Sequence, residues 1–167
     1  MDHLWSPWRY QYVSSAPASS ECIFCQKAAE RNDAENFVVW RGRRNFVLLN
    51  IYPYTSGHLM VAPYEHVALL EDAAEETATE MMLITRRAQK HLREIYCPQG
   101  LNLGMNLGRA AGAGIAGHIH MHVLPRWTAD ANFMTTVAET RIIPEDLHVT
   151  YEKLARAFAQ QPGGVNP

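Results

Sequence analysis

Apolar and polar residues alternate most strictly in HIHMHVLP, His118 to Pro125, where Ile119, Met121 and Val123 fall between and after three histidines. Side chains on a strand point to opposite faces in turn. The pattern therefore predicts a strand with His118, His120 and His122 in a row on one face and the apolar set on the other. Other β-rich runs are FVVW and NFVLLN, separated by RGRR, which has the character of a hairpin turn. NIYPYTSG, punctuated by Pro53 and Gly57, reads as a loop leading into the strand HLMVAP, which ends at Pro63. LNLGMNLG reads as a further strand and RAAGAGIAG as a glycine-rich loop before the histidines.

The period changes to that of a helix over residues 72–96. Met81, Ile84, Ala88, Leu92 and Ile95 recur at helical spacing. Acids fill the first half, and Arg86, Arg87, Lys90 and Arg93 the second, complementing the helix dipole. Asp72 and Glu75 can form a capping box, Pro98 and Gly100 stop the helix, and His91 is expected on its solvent side. CIFCQKAAERND predicts a short helix entered through a cysteine pair. Pro144 is expected to open a last helix with Leu147, Tyr151, Leu154 and Phe158 on one face. Residues 1–21 read as an arm whose Trp5, Trp8, Tyr10 and Tyr12 would lie on another surface, and residues 162–167 as a flexible tail. The strands arrive mostly without helical crossovers. That order favours the α+β class, an antiparallel sheet with one long helix and a C-terminal helix, as a single domain over residues 22–161.

Composition narrows the chemistry. A chain of 167 residues, 47% hydrophobic and 19% charged, has the size and character of one globular domain. A net charge of -2 gives no general attraction for nucleic acid. No apolar run is long enough to span a membrane, and the early acid in MDHLWSPWRYQYV argues against a signal peptide. Three cysteines, of which Cys22 and Cys25 form one tight pair, suit a reducing cytoplasm better than a disulfide framework.

Three same-face histidines have two chemical uses. Imidazole is a common zinc ligand, although three rings in a straight row converge poorly on one ion. Alternatively, one ring attacks as a nucleophile while its neighbours orient it. Gly108, Gly112, Gly114 and Gly117 precede the row. Such a loop can be a connector of small residues, or its N–H groups can cradle phosphate. Next to a row of imidazoles, a phosphate cradle points to attack on phosphorus. CIFC by itself is compatible with a redox pair, a pair of buried thiols or half a zinc site.

HIHMHVL fits the pattern His-φ-His-φ-His-φ-φ, with φ apolar, and resembles the histidine-triad family. NIYPYTSGHLMVAP is similar to that family's ribose-binding and upstream histidine segment. LWSPWR, CIFC, NLGMNLGRAAGAG and LPRWTADANFM resemble its bacterial diadenosine tetraphosphate phosphorylase-like branch. The resemblance implies a cytoplasmic nucleotide hydrolase or transferase that is a homodimer or higher oligomer. His120 would be the nucleophile that takes AMP from a diadenosine polyphosphate, with release by water or phosphate. His122 would serve the bridging oxygen and His58 would orient the triad. Asn50 matches the ribose contact, Asn106 the phosphate contact, and Ala113, Gly114, Ile115 and Ala116 the loop that holds the α-phosphate. Cys22, Cys25, His66 and His118 match a structural zinc site, and magnesium could arrive with the substrate. Many members carry Gln or Ser where Gly114 stands, and often Ser where Ile115 stands, so those side-chain donors are missing here. An adenylyl-sulfate or phosphoramidate hydrolase, or a non-enzymatic nucleotide- or zinc-binding module, is the alternative.

Overall fold

The computed structural model describes residues 22–131 and 143–160. The aromatic arm and the tail lie outside them. In chain order the elements are α1 (Ile23–Ala29), β1 (Val38–Arg41), β2 (Asn45–Leu49), β3 (Leu59–Pro63), α2 (Glu75–Tyr96), β4 (Gly100–Gly104), β5 (Met121–Arg126) and α3 (Leu147–Ala159). The five strands form one sheet in the order β1-β2-β3-β5-β4, with every neighbouring pair antiparallel. This is the α+β architecture expected.

The two faces of the sheet are covered differently. Val47, Leu49, Leu59, Val61, Met121 and Val123 meet Met81, Ile84, Ala88 and Leu92 of α2 and Leu154 and Phe158 of α3. On the other face Phe46, Leu48, Met60 and Ala62 pack against Phe24 of α1. Each large buried apolar side chain contributes roughly 1.5–3 kcal/mol, which makes the α2 side the main source of stability. The thinner α1 layer leaves room on its face of the sheet for a cleft.

Non-local bonds hold the short α1 layer in place. Arg41, only 8% exposed, donates to the carbonyls of Lys27, Ala28 and Glu30 and pairs with Asp33 at 2.7 Å. It thereby satisfies the last carbonyls of α1. Glu80 accepts from the backbone N–H groups of Arg43 and Arg44 and so fastens the RGRR turn to α2.

Several boundaries differ from the sequence expectations. α2 begins at Glu75, and Asp72 belongs to a 3-10 turn, Leu70–Asp72, so the Asp72–Glu75 capping box does not form. The Ala74 N–H donates instead to the Glu65 carboxylate, brought from outside the helix. At the other end Cys97 adopts φ 44° and its N–H closes on the Arg93 carbonyl. His91 is 2% exposed and its ring lies tilted against Phe158, 4.7 Å between centroids, facing α3 rather than solvent. The last helix starts at Leu147, capped by Asp146, three residues after Pro144. β4 ends at Gly104, short of the predicted run. Among the described residues no helix is long and apolar enough to cross a membrane.

Candidate functional site

The alternation read from HIHMHVLP is present, although regular pairing starts only at Met121. His118 to His120 form the approach to β5, held by the Ile119 N–H on the Val67 carbonyl at 2.8 Å. Ile119, Met121 and Val123 enter the α2-side core. His118 and His120 both lie against Phe24, at 5.1 and 4.8 Å between ring centroids, on the opposite face.

His118 points into a polar cluster with half-buried Cys22 and Cys25 and exposed His66. Its Nδ1 lies 3.3 Å from Cys22 Sγ and 3.6 Å from Cys25 Sγ, and His66 Nδ1 lies 3.2 Å from Cys25 Sγ. The four donor atoms of Cys22, Cys25, His66 and His118 all fall within 4.8 Å of one another. In a tetrahedral zinc site, bonds of about 2.0 Å to nitrogen and 2.3 Å to sulfur place neighbouring donors roughly 3.3–3.8 Å apart. His118 Nε2 lies 3.0 Å from the Pro63 carbonyl, which can only accept, so Nε2 carries the proton. Nδ1 is thereby left as a lone-pair donor facing the thiols, the orientation a metal-binding histidine takes. Two soft sulfurs and two imidazoles, one ring already fixed by a carbonyl, fit zinc in a closed, structural site.

His120 makes the opposite choice of nitrogen. Its Nδ1 lies 3.0 Å from the His118 carbonyl and must donate to it, which leaves the lone pair on Nε2. The ring is 6% exposed and lines a cleft of about 460 Å³. Burial holds the His120 imidazolium below its ordinary pKa, opposed in part by the bond to that carbonyl.

His122 follows, with its ring 4.8 Å from that of His120. His58 lies behind it, 1% exposed, with Nε2 2.9 Å from His122 Nδ1. The Tyr54 N–H donates to His58 Nδ1 at 3.2 Å. That fixes the proton of neutral His58 on Nε2, which donates to His122 Nδ1, and the proton of neutral His122 then sits on its Nε2. The chain of bonds thus ends in an N–H donor beside the lone pair of His120.

The loop joining β2 to β3 sets this up. The Asn50 N–H closes on the His58 carbonyl at 3.0 Å, and Thr55 Oγ1 donates to the Pro125 carbonyl at 3.0 Å. Gly57 sits at φ +78°, where a Cβ would lie 3.0 Å from the Tyr96 ring, so only glycine turns the chain into His58 without strain.

Asn50, Asn106, Gly114 and Ile115 all line the cleft. Asn50 Oδ1 accepts from the Tyr52 N–H at 3.0 Å, and Asn106 Nδ2 donates to the Gly112 carbonyl at 3.4 Å. Ala113 and Ala116 are not among the lining residues. Ala113 is 3% exposed and its N–H turns back to the Gly108 carbonyl. The glycine-rich loop runs through a 3-10 turn, Arg109–Ala111, and then presents Gly112, Gly114 and Ile115 to the cleft. Sequence reasoning missed the wall opposite: Ile23, Phe24 and Lys27 of α1, with Leu48, Tyr52, Tyr54 and Met60. A signal for part of it was available, because a metal site joining CIFC to His118 must carry Phe24 up against the triad.

Known proteins can be set beside this geometry. The family model described as HIT domain matches residues 31–129. A protein of Mycobacterium tuberculosis named AP-4-A phosphorylase is 38% identical over 169 residues, covering 97% of this chain and 87% of that protein. A zinc-bound histidine triad family protein from Mycobacterium smegmatis, solved by crystallography, superposes with a TM-score of 0.68 at 30% identity. That match covers 84% of this chain and 95% of the other. A Sulfolobus tokodaii structure at 24% identity and TM-score 0.67, covering 83% of this chain and 92% of the other, shares the fold.

Proposed function

The chain belongs to the histidine-triad (HIT) family, and from that membership and the geometry of the cleft we propose that it is an enzyme that splits diadenosine polyphosphates such as diadenosine tetraphosphate. The observation that carries this proposal is the placement of the His120 Nε2 lone pair in the cleft beside His122. His120 Nε2 attacks the α-phosphorus, forming an N–P bond as the bond from phosphorus to the bridging oxygen breaks. The leaving polyphosphate takes a proton from His122 Nε2, which His58 and the Tyr54 N–H hold in the donor tautomer. An acceptor then attacks the adenylyl-histidine: phosphate yields ADP, water yields AMP, and the imidazole is regenerated. Dividing one displacement into two is what covalent catalysis offers. The cleft supplies orientation, with Asn50 at the ribose and Asn106, Gly114 and Ile115 near the phosphates.

Zinc held by Cys22, Cys25, His66 and His118 would fasten α1 to the triad and fix its backbone, without entering the chemistry. Magnesium would accompany the polyphosphate as part of the substrate. The setting is the cytoplasm, where reduced cysteines bind metal. A homodimer joined through the β4 edge, where Leu103 is 44% exposed, would cover an open strand.

Product analysis tests the proposal: diadenosine tetraphosphate is supplied with and without inorganic phosphate. ADP plus ATP in the presence of phosphate shows phosphorolysis, and AMP plus ATP shows hydrolysis. No cleavage in either case would favour the binding module. Preferential cleavage of adenylyl sulfate or a phosphoramidate would favour the other hydrolases.

A further inference from the structure

Lys27 differs from everything else in the cleft wall: it is the sole Lys, Arg, Asp or Glu among the lining residues. It lies one helical turn beyond Ile23 and Phe24, on the same face of α1. Its Nζ donates to the Asn36 carbonyl and to Asn36 Oδ1, both at 3.1 Å. Asn36 Nδ2 in turn donates to Glu30 Oε2 at 2.5 Å, which turns Oδ1 toward Lys27. An ammonium has three N–H donors, of which Asn36 uses two. A half-buried cation in an apolar wall gains from a third acceptor.

The sheet order locates that acceptor. His120 and His122 stand on β5 and its approach, beyond β3. Asn36, which holds Lys27, precedes β1, whereas Phe24, one turn earlier on α1, shares an apolar cluster with Val38, Phe46, Leu48 and Met60 and lies against His120. Asn50 directly follows β2, which stands between β1 and β3 in the sheet, and lines the same cleft. A nucleotide with phosphorus at His120 and ribose at Asn50 therefore places its base among Ile23, Phe24, Leu48 and Lys27. This placement rests on the function proposed above.

We propose that Lys27 reads the base, donating its third N–H to a ring acceptor and so admitting guanine alongside adenine. Guanine presents N7 and O6 side by side, an edge to which lysine is a matched donor, whereas adenine offers N7 next to an amino donor. Apolar contacts with Ile23, Phe24 and Leu48 grip any purine face. The cation supplies the discrimination between purines that these contacts lack.

Equilibrium titration of the intact zinc-loaded protein with AMP and with GMP tests this without requiring turnover. The unaltered protein is expected to bind GMP at least as tightly as AMP. Lys27→Met should weaken GMP by about tenfold, the scale of one lost charged contact to a base edge, and AMP clearly less. Lys27→Arg keeps a donor and should keep the wild-type ratio. Equal weakening of both nucleotides in Lys27→Met would overturn the proposal, because that is what an anchor for the Asn36 loop would give. So would a wild-type preference for AMP of more than about tenfold, a result that needs no variant to fold. If neither nucleotide binds the unaltered protein, the nucleotide assignment of the cleft fails first, and the role of Lys27 fails with it.

Discussion

His118 and His120 are two residues apart, share one face and touch the same phenylalanine, yet their rings turn opposite nitrogens to different surroundings. His118 Nε2 meets the Pro63 carbonyl, so Nδ1 faces two thiols. His120 Nδ1 meets the His118 carbonyl, so Nε2 lines the cleft. A single hydrogen bond to the far ring nitrogen separates a candidate metal ligand from a candidate nucleophile. Their surroundings complete the division. The cluster around His118 is closed on itself, with four donors converging. The cleft around His120 is open and walled by apolar side chains and small loop residues.

Breaking the cleft side alone should give the largest effect. His120→Ala is expected to lower turnover by about a thousandfold or more while zinc content and melting temperature stay near wild type. Steady-state assays paired with metal analysis check both halves. A variant that lost metal along with activity would show the two regions to be one unit.

Breaking the closed side should do the reverse. Cys22→Ser, or chelation, is expected to release about one zinc per chain and lower the melting temperature by roughly 10 °C, because metal binding is folding free energy. Turnover of the fraction still folded should fall much less. Calorimetry with and without chelator measures this, and an unchanged transition would remove the structural role of the metal.

His58→Phe sharpens the comparison within the cleft. It removes the donor to His122 Nδ1 and leaves both His120 and the cluster of Cys22, Cys25, His66 and His118 in place. The expected result is a fall in kcat of roughly 10- to 100-fold with KM little changed, the usual cost of losing a group that orients a proton donor. A fall in zinc content would contradict it.

The smallest effect lies outside both regions, at His91. Its ring nitrogens have no hydrogen-bond partner, although Nδ1 is 3.6 Å from Glu94 Oε2. Burial, then the charge of Arg87, and more weakly that of Lys90, lower its pKa in the folded state, while Glu94 opposes them. The unfolded chain, with an ordinary histidine pKa near 6.5, then binds protons first as pH falls. Stability is therefore retained above about pH 6.5 and lost as pH drops toward the folded pKa. His91→Leu should flatten that loss as pH falls below about 6.5, with the two melting temperatures converging above it. Parallel pH profiles for the two proteins would remove His91 from the acid response.

These regions were legible in the sequence to different depths. The period-2 alternation of HIHMHVLP was enough to separate core from site, because a strand reverses face at each residue. The expected capping box fails because Asp72 lies in the 3-10 turn before the helix, and Glu65, nine residues before Ala74, supplies the acceptor at the start of α2. His91 was misplaced because residue type outweighed position: it lies three residues after Ala88 and seven after Ile84, on the buried stripe itself. Arg41 passed as one more charge beside a hairpin turn. Its role comes from the α1 carbonyls, which only the folded chain brings to it. The wall of Ile23, Phe24 and Lys27 was hidden in the same way, since the cysteines drew the reading of that helix.

Rapid quenching of the unaltered protein with diadenosine tetraphosphate, followed by peptide mapping, tests the division between the two histidines most directly. The expected result is an AMP adduct that forms and decays within the turnover time and maps to His120, with His118 and His122 unmodified. A substrate made chiral at the α-phosphorus should correspondingly show net retention. An adduct on another residue, or no adduct together with inversion at phosphorus, would contradict the assignment of His120 as the nucleophile.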